Sequence, residues 1–154
     1  MHLRHSLLTP LEQLREGKIE FIKDELDPAG LDISDEELVC KGPVSIEAEI
    51  SLVDIWVLVK LSLKATVILP CALCNETFVF PVKLEHFQHE EPLENTSGDV
   101  YDLIPLIREA ILLEVPFYPQ CAGSICRNRK TLEKYIKPEG SSEEEGYQPF
   151  KELL

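Results

Sequence analysis

The stretch Val44-Ser45-Ile46-Glu47-Ala48-Glu49-Ile50-Ser51-Leu52 decides the fold, because apolar residues occupy every second position in it. In a strand, such alternation turns one set of side chains toward a core and the other toward solvent. The alternation resumes after a short break, at the apolar positions Val57, Val59, Leu61, Leu63, Ala65, Val67 and Leu69. The sequence therefore predicts two neighbouring strands, or one long bent strand, with one buried face.

A third strand pattern follows Pro70, after a turn that contains two cysteines. Its alternating apolar positions are Phe78, Phe80, Val82 and Leu84. Consecutive strands joined by short connections most simply form an antiparallel meander. Because Pro81 has no amide donor for the ladder, we expect this strand at an edge of the sheet, or with that position facing away from a neighbour.

The N-terminal part of the chain predicts shorter elements. Thr9-Pro10-Leu11-Glu12 combines a capping residue, a proline at the first helical position and an acid, which indicates a short helix ending at Gly17. A strand is indicated next by the alternating residues Ile19, Phe21 and Lys23. The region from Asp24 to Lys41 is predicted to be a long connection, in which Ser34-Asp35-Glu36-Glu37 favours one helical turn.

The period changes after Asp102, where apolar residues recur at helical spacing: Leu103, Ile104, Leu106, Ile107, Ala110, Ile111 and Leu113. Pro105 is tolerated in the first turn of a helix, and Pro116 predicts that this helix stops near Glu114. A second helix is predicted from Asn128 to Ile136, with one apolar face formed by Leu132, Tyr135 and Ile136.

These patterns together predict an α+β fold: an antiparallel β meander or partly open barrel with one main packed helix and short terminal helices. The 154 residues, 44% of them hydrophobic, are enough for one core, so residues 1–138 are predicted to form a single domain. Residues 139–154 have the composition of an acidic linker followed by a short apolar tail.

Charge and composition restrict the classes of function. The net charge is −13, from 28 acidic and 15 basic residues, and such a field repels nucleic acid in general but suits a basic partner such as a ribosomal protein. The chain contains neither a membrane-spanning run nor an export signal near Met1, so a soluble cytoplasmic protein is expected. Since no phosphate-binding glycine loop, nucleophile elbow or histidine triad occurs, we expect a protein that is not an enzyme.

Two cysteine pairs are the strongest candidate site. Cys71 and Cys74 follow one strand pattern, and Cys121 and Cys126 follow the main helix pattern. Four thiolates can surround one tetrahedral zinc ion and stabilise a small fold, which makes one structural zinc ion a candidate cofactor. Two other interpretations stay open: the thiols are small buried core residues, or Cys71 and Cys74 form a redox pair. Cys40 has no nearby partner and is predicted to be a packed core residue.

Several other residue types have ordinary structural explanations. His86 and His89 are predicted to lie on opposite faces of a strand and at the surface rather than to bind a metal together. Trp56 has apolar neighbours and is predicted to belong to the core. Helix capping and an exposed helix face explain the charged residues Asp99, Asp102, Arg108 and Glu109.

Charge is segregated near the C-terminus. The segment from Arg127 to Lys137 has a net charge of +4, because Glu133 opposes the basic residues Arg127, Arg129, Lys130, Lys134 and Lys137. The segment from Pro138 to Leu154 has a net charge of −4. The basic segment is a candidate contact for RNA or another partner, and the acidic one could shield it or bind a basic protein. An ordinary solvated helix followed by a solubilising tail explains the same pattern.

The order of these elements resembles the YceD family, the large ribosomal RNA subunit accumulation protein family. A β-rich half leads into Cys71-Ala72-Leu73-Cys74-Asn75-Glu76-Thr77-Phe78, then into the helix at Asp102–Leu113, a second cysteine cluster and a short apolar ending. Cys71, Cys74 and Phe78 match the family's first cluster. Leu73 stands where the family has an arginine, and Asn75 stands where it has a leucine. The second cluster keeps only Cys121 and Cys126.

This resemblance implies a non-enzymatic accessory factor in the biogenesis of the large ribosomal subunit in bacteria. Such a factor supports the accumulation or processing of large-subunit ribosomal RNA, and we expect it to bind a ribosomal protein or a precursor of the subunit. The alternatives are a direct RNA-binding or zinc-dependent RNA-processing protein and a thiol redox protein.

Overall fold

The computed structural model describes residues 7–35, 38–96, 98–121 and 126–135. The strands are β1 (Leu8–Pro10), β2 (Glu20–Leu26), β3 (Ser34–Asp35), β4 (Leu38–Cys40), β5 (Val44–Val53), β6 (Trp56–Pro70), β7 (Thr77–Pro92) and β8 (Val100–Asp102). The helices are α1 (Leu11–Arg15), α2 (Ile104–Glu114) and α3 (Arg129–Glu133). Single 3₁₀ turns occupy Pro28–Leu31 and Leu93–Asn95.

The main sheet is antiparallel and open, with β6 at its centre. On one side, β6 pairs with β5 and, nearer its C-terminal end, with β4. Strand β2 pairs with the outer edge of β5, and β3 pairs with the outer edge of β4. On its other side β6 pairs with β7 along its whole length, from Trp56 opposite Pro92 to Pro70 opposite Thr77. Among the described residues no further strand pairs with β7, so the sheet is open there. The predicted α+β fold with an open meander is confirmed, and so is the edge position of Pro81.

The core lies between one face of this sheet and the two main helices. The alternating apolar residues of β5 and β6 are buried as predicted, and α2 packs toward β7 with its face of Leu106, Ile107, Ala110 and Ile111. Helix α1 contributes Leu11 and Leu14 against β5. Each of the larger side chains, valine, leucine or isoleucine, stabilises the fold by about 1.5–3 kcal/mol when it is fully buried. This core fixes the ends of β6 and α2 relative to each other.

A separate two-stranded sheet of β1 and β8 holds the N-terminal segment against the start of α2. Leu8 lies opposite Asp102, and the amide of Leu103 donates to the carbonyl of Leu7 at 3.1 Å. The Asp102 carboxylate accepts a hydrogen bond from the Ile104 amide at 2.9 Å, so the predicted capping role of Asp102 is confirmed. Pro105 lies in the first turn of α2, also as predicted.

Three predictions for the N-terminal part were wrong. Thr9 does not cap α1: it lies in β1, where its buried hydroxyl has no hydrogen-bond partner among the described residues, and α1 begins after Pro10. Strand β2 exists, but its buried residues are Ile22 and Leu26, and Phe21 is 71% exposed. The segment Ser34–Asp35 is a strand rather than a helical turn, because it pairs with β4.

A β-bulge in β7 explains where the two histidines lie. The register of the β6–β7 pairing shifts between Leu61 and Leu63, and His86 has a positive φ of 58° with its amide 3.3 Å from the Ser62 hydroxyl. The extra residue turns His86 to the exposed face, while His89 lies opposite Val59 on the inner face and is half-buried. The two rings are on opposite faces, as predicted, but the prediction that both lie at the surface holds for His86 alone.

Two aromatic residues are more exposed than the sequence predicts. Trp56 starts β6 at a tight turn, opposite Val53, and is 43% exposed, so its assignment to the core was wrong. Helix α3 is shorter than predicted, and Tyr135 is exposed instead of sharing an apolar face with Leu132. Ile136 and the predicted tail at residues 139–154 lie outside the described residues.

Candidate metal centre

The first half of the site is the turn between β6 and β7. Their pairing ends at Pro70 opposite Thr77, and the Cys71 amide donates to the Glu76 carbonyl at 2.9 Å. The Asn75 amide donates to the Cys71 carbonyl at 2.8 Å, and Asn75 has a positive φ of 59°, which asparagine tolerates better than most residues. The hairpin therefore holds Cys71 and Cys74 in one closed turn.

The second half comes from the segment that follows α2. The Ala72 amide donates to the Pro119 carbonyl at 2.7 Å, which ties this segment to the first turn. The side-chain amide of Asn128 donates to the Leu73 carbonyl at 2.7 Å, and the Arg127 guanidinium pairs with the Glu76 carboxylate. These contacts bring Cys121 and Cys126 to the turn that contains Cys71 and Cys74.

The four sulfur atoms form one compact group. All four Sγ atoms of Cys71, Cys74, Cys121 and Cys126 lie within 4.8 Å of one another. The Sγ atoms of Cys71 and Cys126 are 4.0 Å apart, and those of Cys74 and Cys121 are 3.7 Å apart. A tetrahedral metal ion with metal–sulfur bonds of about 2.3 Å requires sulfur–sulfur distances of about 3.8 Å. The group could therefore bind a metal ion, and all four cysteines are free rather than disulfide-bonded.

Hydrogen bonds favour negative charge on one sulfur. The backbone amides of Cys121, Cys74 and Leu73 donate to Cys71 and lower the pKa of its thiol to about 6, against the opposing effect of burial. The amide of Cys121 is 3.4 Å from that sulfur. In contrast, burial and the neighbouring thiols raise the pKa of Cys121 to about 12. A metal cation bound among the four sulfurs would stabilise all of them as thiolates, including Cys121, because thiolates rather than thiols bind metal ions.

Apolar burial at this end of the molecule is small. Cys71, Cys121 and Cys126 form a buried cluster of their own, beside the partly buried Leu73 and Phe78. Phe78 also packs against the main core and is the contact between the two clusters. Such a small cluster gives little hydrophobic stabilisation, so a metal ion would supply much of what holds the two cysteine segments together.

Cys40 takes no part in this group. It lies on β4, is buried in the main core, and burial raises the pKa of its thiol. The prediction of a packed core residue is confirmed.

The predicted basic segment divides into two parts. Arg127 is engaged by Glu76, so it helps to join the two halves of the cysteine site. The Arg129 guanidinium donates to the Gln120 side-chain carbonyl at 2.7 Å, and Lys130 and Lys134 are exposed. Lys137 lies outside the described residues. Sequence reasoning missed Gln120 and Asn128. It also missed the exposed pair Phe117 and Tyr118, for which the only signal was the flanking prolines.

A cavity of about 550 Å³ lies away from the cysteines, between the end of β7, β8 and α2. Its lining includes Tyr101, Glu91 and His89, and Tyr101 is buried beside Glu91. Burial, and then the charge of Glu91, raise the pKa of Tyr101 well above its ordinary value.

Comparisons with known proteins give no relative: no protein-family model matches the chain, and neither does any curated protein or solved structure. Among the described residues, none of the helices has the length and apolar character needed to cross a membrane.

Proposed function

We propose that Cys71, Cys74, Cys121 and Cys126 hold one structural zinc ion, and that the protein is a cytoplasmic, non-enzymatic accessory factor in assembly of the large ribosomal subunit. The observation that supports the zinc site is the group of four Sγ atoms within 4.8 Å of one another. Four sulfur ligands in tetrahedral arrangement suit zinc or iron, and a mononuclear site of this kind is most often a structural zinc site.

The ligand set supports a structural rather than a catalytic role. Catalytic zinc sites generally have three protein ligands and keep a fourth position for water or substrate. Here four cysteines would fill all positions around the ion. This argues against zinc-dependent RNA processing and favours a binding protein whose shape depends on the metal.

Charge and resemblance support the ribosomal role. A protein with a net charge of −13 is suited to a basic partner, and ribosomal proteins are a large class of such partners. The order of elements resembles that of the YceD family, and this resemblance also implies a role in assembly of the large ribosomal subunit. The partner that we propose is a ribosomal protein or a precursor of the large subunit.

Metal analysis tests the zinc site. Protein purified without chelator should contain about one zinc ion per chain, as expected for a single four-cysteine site. Cys71→Ser and Cys126→Ser should each lose the zinc, because they come from opposite halves of the site, while Cys40→Ser should keep it as the matched control. A parent protein without zinc, or zinc retained in both variants, would refute the site.

Co-sedimentation tests the ribosomal role. The zinc-loaded protein, added at low salt to a fractionated lysate, should migrate with precursors of the large subunit or be retained by an isolated large-subunit ribosomal protein. Low salt matters because the proposed attraction is electrostatic and is screened at high ionic strength. Absence of the protein from every precursor fraction, together with no retention by ribosomal proteins, would reject the role.

A further inference from the structure

Two neighbouring aromatic side chains project into solvent beside the cysteine site. Phe117 is 99% exposed and Tyr118 is 80% exposed. They lie between Pro116 and Pro119, whose rings restrict the backbone, and the Pro119 carbonyl accepts the hydrogen bond from Ala72. The backbone that carries these two side chains is therefore tied to the cysteine turn, while the aromatic rings themselves stay open to solvent.

Positive charge lies next to this aromatic pair. Arg129 donates to Gln120 at 2.7 Å, and Gln120 is only two residues from Tyr118, so the start of α3 lies beside the aromatic segment. Gln120 is neutral and leaves the charge of Arg129 uncompensated. Lys130 and Lys134 form no ion pair with any described residue.

Three of the four lysines in the sheet strands differ from the lysines at residues 129–134. Lys23, Lys60 and Lys83 each have a carboxylate oxygen within 3.0 Å, which offsets their charge. Residues 129–134 instead carry three cations against Glu133 alone. The surface formed by Phe117, Tyr118, Arg129, Lys130 and Lys134, called the aromatic-basic surface below, is thus a local positive region on an acidic protein.

We infer that the aromatic-basic surface binds single-stranded RNA, with unpaired bases stacked on Phe117 and Tyr118 and phosphates contacted by Lys130 and Lys134. Exposed rings beside cations are the combination by which proteins hold unpaired nucleotides. A duplex keeps its bases stacked on one another and offers none to these rings. This inference rests on the proposed function, because it assigns that function an RNA ligand and the zinc-held segment as its position.

Fluorescence anisotropy with the zinc-loaded full chain tests the surface. The probe is a labelled oligouridine of about ten nucleotides, within the site sizes of single-strand binders, at about 50 mM salt. The double variant Phe117→Ala/Tyr118→Ala should bind at least about tenfold more weakly, because each lost stacking contact weakens binding about fivefold or more and the variant removes two. Phe21→Ala, which removes an exposed ring from the sheet, should leave the affinity within about twofold of the parent.

Salt dependence tests the charged part of the surface. The double variant Lys130→Gln/Lys134→Gln should reduce the slope of log affinity against log salt by about 1.4, because each contact to single-stranded RNA contributes about 0.7. Lys41→Gln/Lys64→Gln removes two other exposed lysines and should leave the slope unchanged. A self-complementary RNA duplex should bind at least about tenfold more weakly than oligouridine.

Three outcomes would overturn the inference: no binding of oligouridine, equal binding of the duplex, or equal losses in the test and control variants. Co-sedimentation separates these failures from failure of the proposed function. If the parent binds precursor subunits but no RNA, the inference is wrong and the accessory role stands. If Phe117→Ala/Tyr118→Ala also abolishes that binding, the surface docks a protein instead. If the parent binds oligouridine but neither precursor subunits nor any ribosomal protein, the accessory role is refuted, and the aromatic-basic surface remains an RNA-binding surface.

Discussion

The Sγ atom of Cys71 lies 4.0 Å from the Sγ atom of Cys126, although 55 positions separate the two residues in the chain. Cys71 is fixed at the end of β6, whereas Cys126 follows α2 and the proline-rich segment after it. A metal ion bound by both would close this long loop, and closing a long loop removes much conformational entropy from the unfolded chain. The site therefore connects the sheet to the C-terminal part of the described chain.

Metal removal should loosen this connection and leave the sheet intact, because the cysteine cluster is separate from the main core. With chelator present, hydrogen exchange should become at least about 100-fold faster for the amides of Cys71, Ala72 and Cys121, equivalent to about 2.7 kcal/mol of lost stabilisation. Amides in the β5–β6 pairing should keep their rates. Equal acceleration throughout β5 and β6 would instead show that the metal supports the whole fold.

Proton release on zinc binding should depend on Cys71. Its pKa of about 6 lies far below the ordinary thiol value, so Cys71 has a proton to release at pH 5 but almost none at pH 7.5. Cys121, whose pKa is raised, keeps its proton until metal binds at both pH values. The number of protons released should fall by about one across this range. Calorimetric zinc titrations in buffers of different ionisation enthalpy measure this number, and a constant value would contradict the amide–thiolate hydrogen bonds.

The buried face of α2 should dominate stability at the helix. Ile107→Ala should reduce the free energy of unfolding by about 2–5 kcal/mol, because Ile107 is completely buried against the sheet. Leu113→Ala is the matched control on the same helix: Leu113 is exposed, so its replacement should change stability by less than about 0.5 kcal/mol. Urea unfolding of both variants checks the comparison, and similar losses in both would mean that the outer face of α2 is covered in solution.

The sequence was most informative where one local pattern determines the structure. The alternation from Val44 to Leu69 predicted β5 and β6, since a period of two leaves one consistent way to bury apolar residues. The same reasoning failed at Phe21 and Trp56, because strand phase and turn position depend on which neighbour pairs with the strand. The bulge at His86 was equally hidden, since it results from pairing with β6.

The candidate site was predictable in its residues but not in its geometry. The spacing of Cys71 and Cys74 indicates one half-site, because close pairs bind from one side of a metal ion. Cys121 and Cys126 reach the turn of Cys71 and Cys74 because of the length of α2 and of contacts such as the hydrogen bond from Asn128 to Leu73. The pairing of Arg127 with Glu76, between residues remote in sequence, had no sequence signal, and it gives Arg127 a part in joining the two halves of the site.

Tyr101 should make the protein sensitive to alkaline pH. Its phenol is buried beside Glu91, and its pKa in the folded state is raised above the ordinary value of about 10. Below that pH, Tyr101 is neutral in both folded and unfolded states and contributes no pH dependence. Above it, the unfolded state ionises first, so stability should fall by about 1.4 kcal/mol per pH unit.

The variant Tyr101→Phe isolates this effect from the titration of lysines at the same pH. Urea unfolding between pH 8 and about 11 should show a shallower loss of stability in Tyr101→Phe than in the parent, because phenylalanine has no proton to lose. The matched control Tyr118→Phe should follow the parent, since Tyr118 is exposed and ionises similarly in both states. If Tyr101→Phe loses stability as steeply as the parent, the phenol ionises without unfolding, and Tyr101 cannot be held against Glu91 as the structure places it.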